Sequence, residues 1–246
     1  MERDESDTKQ LVFWEHVGVL RSYILFGGLF FILSVIALFS LGGAVLTQYL
    51  LKPLHGQTLV FLTPMAPFLF QMKIAFIAAT VVSFPVWLFL VSRFVGEALP
   101  YRKRWRFLWF VLLAMFMGAG SLLVSYFYLV PVSFAAFLHF VVPGTSLMLT
   151  ADSYISFYFL ITTVCFVVSE LPVLIVALVY VGLINPYVLA HQRRFLYIGL
   201  LILLGVITPT TDVITLLAVT VPAIILTEAG LVLGKIMYTK ETGKNY

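Results

Sequence analysis

Phe166-Val167-Val168-Ser169-Glu170-Leu171-Pro172 decides how the chain is read. These residues lie in the middle of Tyr154 to Tyr180, a stretch built mainly from Val, Leu, Ile, Phe and Ala. If the stretch crosses a bilayer, Glu170 falls near the midplane, where a charge costs at least about 2.5–3.5 kcal/mol. An ionisable residue kept at that depth points to function. Pro172 lacks a backbone N–H and frees a carbonyl, which predicts a bend and a roughened packing face. The plain alternative is a neutral carboxyl hydrogen-bonded between helices as structural glue.

The rest of the chain supports a membrane setting. Of 246 residues, 62% are hydrophobic and 11% charged, and the mean hydropathy is +1.07. A soluble domain of this size has no way to bury so much apolar surface, so the class is polytopic membrane protein. The one cysteine, Cys165, excludes an internal disulfide. His16, His55, His139 and His191 are scattered without metal-ligand spacing, so no metal or cofactor is expected. No phosphate-cradling loop, Ser/His/Asp arrangement or pair of carboxylates on one helix suggests an enzyme, and nothing suggests a nucleic-acid partner.

Hydropathy and breakers divide residues 1–246 into one polytopic domain with flexible tails at 1–10 and 236–246. The N-terminal tail lacks the basic-then-apolar layout of a signal peptide. Leu11 to Arg21 reads as an amphipathic entry segment. Spans follow at Tyr23–Leu46, Phe68–Phe94, Phe107–Val130 and Tyr154–Tyr180, then Phe195–Ile207 and Val213–Leu233. Leu51–Pro67 and Pro131–Ser153 read as loops. Lys73 is placed to snorkel, and Asp152 to cap the fourth span. Phe195–Ile207 rises only about 20 Å, and the uncharged part of the last span ends at Glu228 after about 22 Å. Both are shorter than a hydrocarbon core of about 30 Å, which predicts local thinning. The fold class is therefore all-α membrane protein with six transmembrane helices, the last two short.

Of 15 Lys and Arg residues, all but Lys52 and Lys73 lie before the first span, around the second-to-third and fourth-to-fifth connections, or at the C-terminus. The positive-inside rule then puts both termini in the cytoplasm or its organellar equivalent. The run Tyr101-Arg102-Lys103-Arg104-Trp105-Arg106 reads as topology determinant and anionic-lipid contact. Gly230-x-x-x-Gly234 fits a close helix contact, a spacing also common by chance.

An ordered series of short motifs resembles the TatC family, the polytopic core subunit of the twin-arginine protein translocase. It comprises His16-Val17-x-x-Leu20-Arg21, Phe61-Leu62-Thr63-Pro64-x-x-Pro67-Phe68 with Lys73, and Ser153-Tyr154-Ile155-Ser156-Phe157. Glu170-Leu171-Pro172, Gly182-Leu183-Ile184-Asn185-Pro186 with Arg193 and Arg194, Thr208-Pro209-x-x-Asp212, Pro222 and Glu228 complete it. The resemblance implies a concave, glove-like bundle in a bacterial-type inner membrane or its organellar equivalent. It also implies an oligomer that receives twin-arginine signal peptides of folded precursors. Transport would run with single-span TatA/TatB-type subunits on the proton-motive force, without a nucleotide. Glu170 and Pro172 would shape the polar spot on the concave face.

The chain departs from the family pattern at the receptor acids. The acid two residues before Arg21 is replaced by Val19, and the loop acid falls at or near Lys103. The acid usual after Thr63-Pro64 is Ala66, and a polar residue four after Asp212 is Leu216. Pairing with guanidinium groups calls for carboxylates. Glu15, one helical turn before Val19, and Glu97, at the end of the second span, are the substitutes; the bland reading makes them ordinary interfacial charges. Two other functions stay open: a TatC-like paralogue that binds no signal peptide, and a proton-coupled solute transporter using Glu170 and Asp212 as relays.

Overall fold

The Glu170 stretch forms the middle of a helix at the centre of the molecule, and the other elements are packed around it. The computed structural model describes residues 2–54, 58–138, 148–207 and 213–242. In chain order the helices are α1 (Glu2–Leu51), α2 (Ala66–Ala98), α3 (Tyr101–Val124), α4 (Val130–Leu138), α5 (Ala151–Val181), α6 (Pro186–His191), α7 (Arg193–Ile207) and α8 (Val213–Thr242). A π-helical segment, Ser125–Leu129, joins α3 to α4 without a break.

Local chemistry sets the limits of α5. Thr150 is its N-cap: extended, with a side chain that accepts from the Ser153 N–H at 3.2 Å. At the far end Gly182 adopts φ 87°, the left-handed conformation in which a Cβ is strained. The Gly182 and Leu183 N–H groups then donate to the carbonyls of Val179 and Leu178 at 3.0 and 3.1 Å. Between these limits α5 buries 44% of its apolar span, against 6% for α1. It contributes Val164 and Val168 to a core with Leu200 and Leu204 of α7 and Ala223 of α8. Ala151 and Ile155 join a second core with Phe70 and Ile74 of α2.

Pro172 does not end α5; the helix runs through it, and Pro172 is buried. Gly230 of α8 lies against it, so close that a Cβ there would stand 2.7 Å from the Pro172 Cα. Four residues on, a Cβ on Gly234 would stand 3.4 Å from Val179. The Gly230/Gly234 spacing is thus a helix-contact surface, with the small residues meeting α5 around Pro172.

Connections of two to a few residues fold α2, α3 and α5–α8 back on one another. Arg21, Glu97, Arg104, Arg193 and the end of α8 therefore gather at one end of the bundle, the basic end. The loops near Val60 and Thr150 lie at the other. There Val60 donates to the Leu149 carbonyl at 3.0 Å, and Ala151 donates to the Val60 carbonyl at 3.1 Å, a single parallel bridge. The same end closes α1 from outside. The Tyr126 hydroxyl donates to the Tyr49 carbonyl at 2.8 Å and the Tyr154 hydroxyl to the Leu50 carbonyl at 2.6 Å. Those carbonyls belong to the last turn of α1, where helices lack internal donors.

Several sequence expectations need correction. Residues 2–10 are helical rather than a loose tail: α1 begins at Glu2, and acids early in a helix oppose its dipole favourably. The C-terminal tail expected from residue 236 is helical to Thr242. Residues 131–138 of the expected second loop are α4. Five helices are long and apolar enough to span a bilayer, and the sixth, α7, has only 15 residues. The last helix is not short: α8 has 30 residues. It runs past Leu233, and Arg193 and Tyr197 of α7 satisfy the Glu228 carboxylate within it.

Candidate functional site

A groove of about 510 Å3 opens between α1, α2, α5 and α7, towards the Val60/Thr150 end. Its walls are chiefly apolar, with Val35, Phe76, Ile77, Phe159 and Ile207 among them. Lys73 stands at its edge and donates to Asp152 of α5. That pairing corrects two sequence readings: Lys73 clamps α2 to α5, and Asp152 is its partner while Thr150 caps the helix.

On α5 the groove is lined by Ser156 and Thr163, seven residues apart and hence on one helical face. Seven more residues along that face lies Glu170. It is half-buried, and its Oε1 is enclosed with no hydrogen-bond partner among the described residues. The enclosure is tight: a Cβ on Gly118 of α3 would lie 2.9 Å from Oε1, from Phe166 and from Phe84. The rings of Phe84 and Phe166 meet edge-to-face at 4.6 Å. An unpaired carboxyl oxygen walled by aromatic carbon is a desolvated polar group that the surrounding packing does not satisfy.

At the basic end Glu97 is exposed and accepts a hydrogen bond from Tyr23 of α1 at 3.0 Å. Arg93 and Arg104 act electrostatically on Tyr23. The Arg104 side chain crosses Gly96, where its Nε would lie 3.3 Å from a Cβ. Lys103 is anchored to α5: the Tyr180 hydroxyl donates to its carbonyl at 3.2 Å, and its ammonium sits 5.4 Å from the Tyr180 ring centre. Val19 is half-buried and Arg21 exposed on α1. Glu15 lies in α1, but its side chain, like the whole of the 208–212 turn with Asp212, is outside the described residues.

Thus Glu97 sits with Arg93 and Arg104 at the basic end, and Glu170 lies separately, at mid-span. Sequence reasoning missed Tyr23, which holds Glu97, and Tyr197. Arg193 and Tyr197 are four residues apart on α7 and both reach Glu228, the arginine at 3.0 Å. Their i, i+4 spacing was the available signal. Inside the bundle, Ser125 of the π segment and Thr162 of α5 share a buried hydrogen bond of 2.9 Å, which binds the irregular turn to the central helix.

A long-helix bundle with an open apolar groove, a carboxyl at mid-span and a charged rim at one end defines a polytopic membrane docking scaffold. Residues 15–222 match the family model for Sec-independent protein translocase protein (TatC), and the chain belongs to that family. Among its relatives, the TatC protein of Halalkalibacterium halodurans is 29% identical over 238 residues, 92% of this chain and 90% of that protein. TatCd of Bacillus subtilis is 30% identical over 195 residues, 78% and 79% of the two chains. A crystal structure of the twin-arginine translocase receptor TatC in DDM superposes with a TM-score of 0.77 at 23% identity, covering 89% of this chain and 99% of that one. A second crystal structure of that receptor gives 0.74 at 24%, over 90% and 98%. These structures share the fold: a concave, all-helical membrane bundle.

Proposed function

We propose that the chain is the receptor and core subunit of a twin-arginine translocase. It takes folded precursors by their signal peptides at the basic end and works with single-span TatA/TatB-type subunits in an oligomer driven by the proton-motive force. The observation that carries this reading is Glu170, whose enclosed oxygen has no hydrogen-bond partner among the described residues and which continues the α5 face of the groove-lining Ser156 and Thr163. A single-span helix or a signal peptide with one polar group can supply the missing donor. Lys and Arg asymmetry supports a cytoplasmic basic end with both termini on that side, in a bacterial-type inner membrane or organellar equivalent.

Glu97 is the carboxylate available there for a guanidinium of the signal peptide, and Tyr23 holds it in place. Glu15 is the second candidate, from its place in α1. The deciding experiment is photo-crosslinking of a twin-arginine precursor to residues beside Glu97 and Val19 in native membranes. Adducts that vanish when the twin arginines are replaced by lysines support the receptor; none at either site overturns it.

One observation favours a second reading. Arg93 and Arg104 act electrostatically on Tyr23, the partner of Glu97, and the family's loop acid falls at or near Lys103, a setting that repels incoming arginines. A subunit that assembles without binding precursors would co-purify with single-span partners and give no adducts. The solute-transporter reading has less support, since no carboxyl is among the described residues that line the groove and could relay protons from Glu170.

A further inference from the structure

At the basic end, α6 and α7 meet around a shallow cavity of about 460 Å3 lined by His191, Gln192, Arg194 and Phe195. None of these residues takes part in the groove or in the Tyr23–Glu97 pair. The adjacent arginines point to different environments, as neighbours about 100° apart on a helix must. Arg193 is paired with Glu228 across α7 and α8. Arg194 is exposed, stacks its guanidinium 4.9 Å from the Phe195 ring centre, and has no ion pair among the described residues. Gln192 and His191 add neutral donors beside it.

Below this polar cavity an apolar stripe begins. Phe195, Ile198, Ile202 and Val206 recur along one face of α7 and are 59%, 55%, 59% and 80% exposed. The opposite face, Leu200 and Leu204, is buried against α5 and α8. A cationic cup continuous with an exposed apolar stripe matches an amphiphile with an anionic head. The length of α7 fixes the level: 15 residues rise about 22 Å, so Arg194 lies no higher than the headgroup layer of an ordinary bilayer. The anions abundant at that depth are phospholipid phosphates.

We infer that the His191/Gln192/Arg194/Phe195 cavity is a binding site for one anionic phospholipid. Its phosphate sits on the Arg194 guanidinium, its headgroup hydroxyls meet Gln192 and His191, and its acyl chains lie along the Phe195–Val206 stripe. The site holds the bilayer down against the shortest membrane helix. It is independent of precursor binding, so the receptor reading stands or falls separately.

The test uses the full chain in nanodiscs of phosphatidylcholine alone or with phosphatidylglycerol, and reads retained lipid by native mass spectrometry beside the melting temperature. Wild type is expected to retain phosphatidylglycerol over phosphatidylcholine and to melt higher in its presence. Arg194→Gln should lower that retention about fivefold, the factor matching about 1 kcal/mol per basic residue at a membrane surface. Arg194→Lys should keep part of it, and Lys52→Gln, which removes an exposed charge at the other end of the bundle, should change nothing. Equal retention by Arg194→Gln and wild type would overturn the assignment, as would equal loss in Lys52→Gln. A glutamate octapeptide that bound in phosphatidylcholine discs with the same Arg194 dependence would reassign the cavity to a soluble acidic ligand.

Discussion

The Cα of Pro172 lies 2.7 Å from where a Cβ would project from Gly230, so α5 and α8 touch backbone to backbone. Gly230→Ala is expected to force the helices apart and to cost about 1–3 kcal/mol, the usual penalty for overpacking. Gly234→Ala, which meets only ordinary van der Waals contact at 3.4 Å, should cost far less. Thermal melting of the two variants in detergent measures the difference; equal melting temperatures would contradict this packing.

Tyr154→Phe removes the donor to the Leu50 carbonyl and leaves that oxygen without its partner. The bond is half-buried, so a loss of about 1 kcal/mol is expected. Tyr126→Phe, at a more exposed bond, should cost less. Hydrogen exchange confined to the last turn of α1 would locate the effect, and unchanged protection there would refute it.

Lys73 and Asp152 are 43% and 70% exposed, so their ion pair should contribute only about 0.2–1 kcal/mol to stability. A double-mutant cycle with Lys73→Met and Asp152→Asn reads this coupling. A value well above that range would mean the pair is more desolvated than its exposure indicates.

Gly118→Ala inserts a methyl where Glu170 Oε1, Phe166 and Phe84 converge. It should displace the carboxyl without changing charge and weaken co-purification of single-span subunits as strongly as Glu170→Ala. Glu170→Gln keeps shape and a donor and should retain much of that assembly. If Gln and Ala are equally inactive in export while assembly stays intact, Glu170 acts as a proton relay and not as a docking group.

Glu97→Ala should weaken precursor crosslinking at the basic end, and Tyr23→Phe should weaken it by a smaller amount, since the phenol only positions the carboxylate. Restoring acids with Val19→Glu and Lys103→Glu should strengthen it. Each charge-assisted bond accounts for about 1.5–3 kcal/mol. No response to any of these changes favours the non-receptor subunit.

Much of the architecture was legible because hydrocarbon imposes simple rules. Long uncharged runs became α1, α2, α3 and α5 with shifted ends, and Glu170 emerged at mid-span. Misreadings arose where a distant partner changed the meaning of a charge. Glu228 looked like the limit of the uncharged part of the last span because Arg193 and Tyr197, on another helix, are not visible in its neighbourhood. Asp152 looked like a cap, yet Thr150 two residues earlier does that work and Lys73 claims the aspartate. Pro131 looked like a breaker, yet it lies just past the π segment in a helix that runs on to Leu138. The Tyr23–Glu97 contact joins residues 74 apart in sequence, beyond any local pattern.

The two tyrosines that finish α1 have a consequence for biogenesis. Tyr126 and Tyr154 lie 77 and 104 residues downstream of the carbonyls they meet. At about 5–20 residues per second of synthesis, the Leu50 carbonyl waits roughly 5–20 s before its donor has even been made. The first helix to enter the membrane is therefore among the last to be completed. A nascent chain halted before Tyr154 holds α1 with a raw end, which a quality-control protease or a chaperone can read as unfinished.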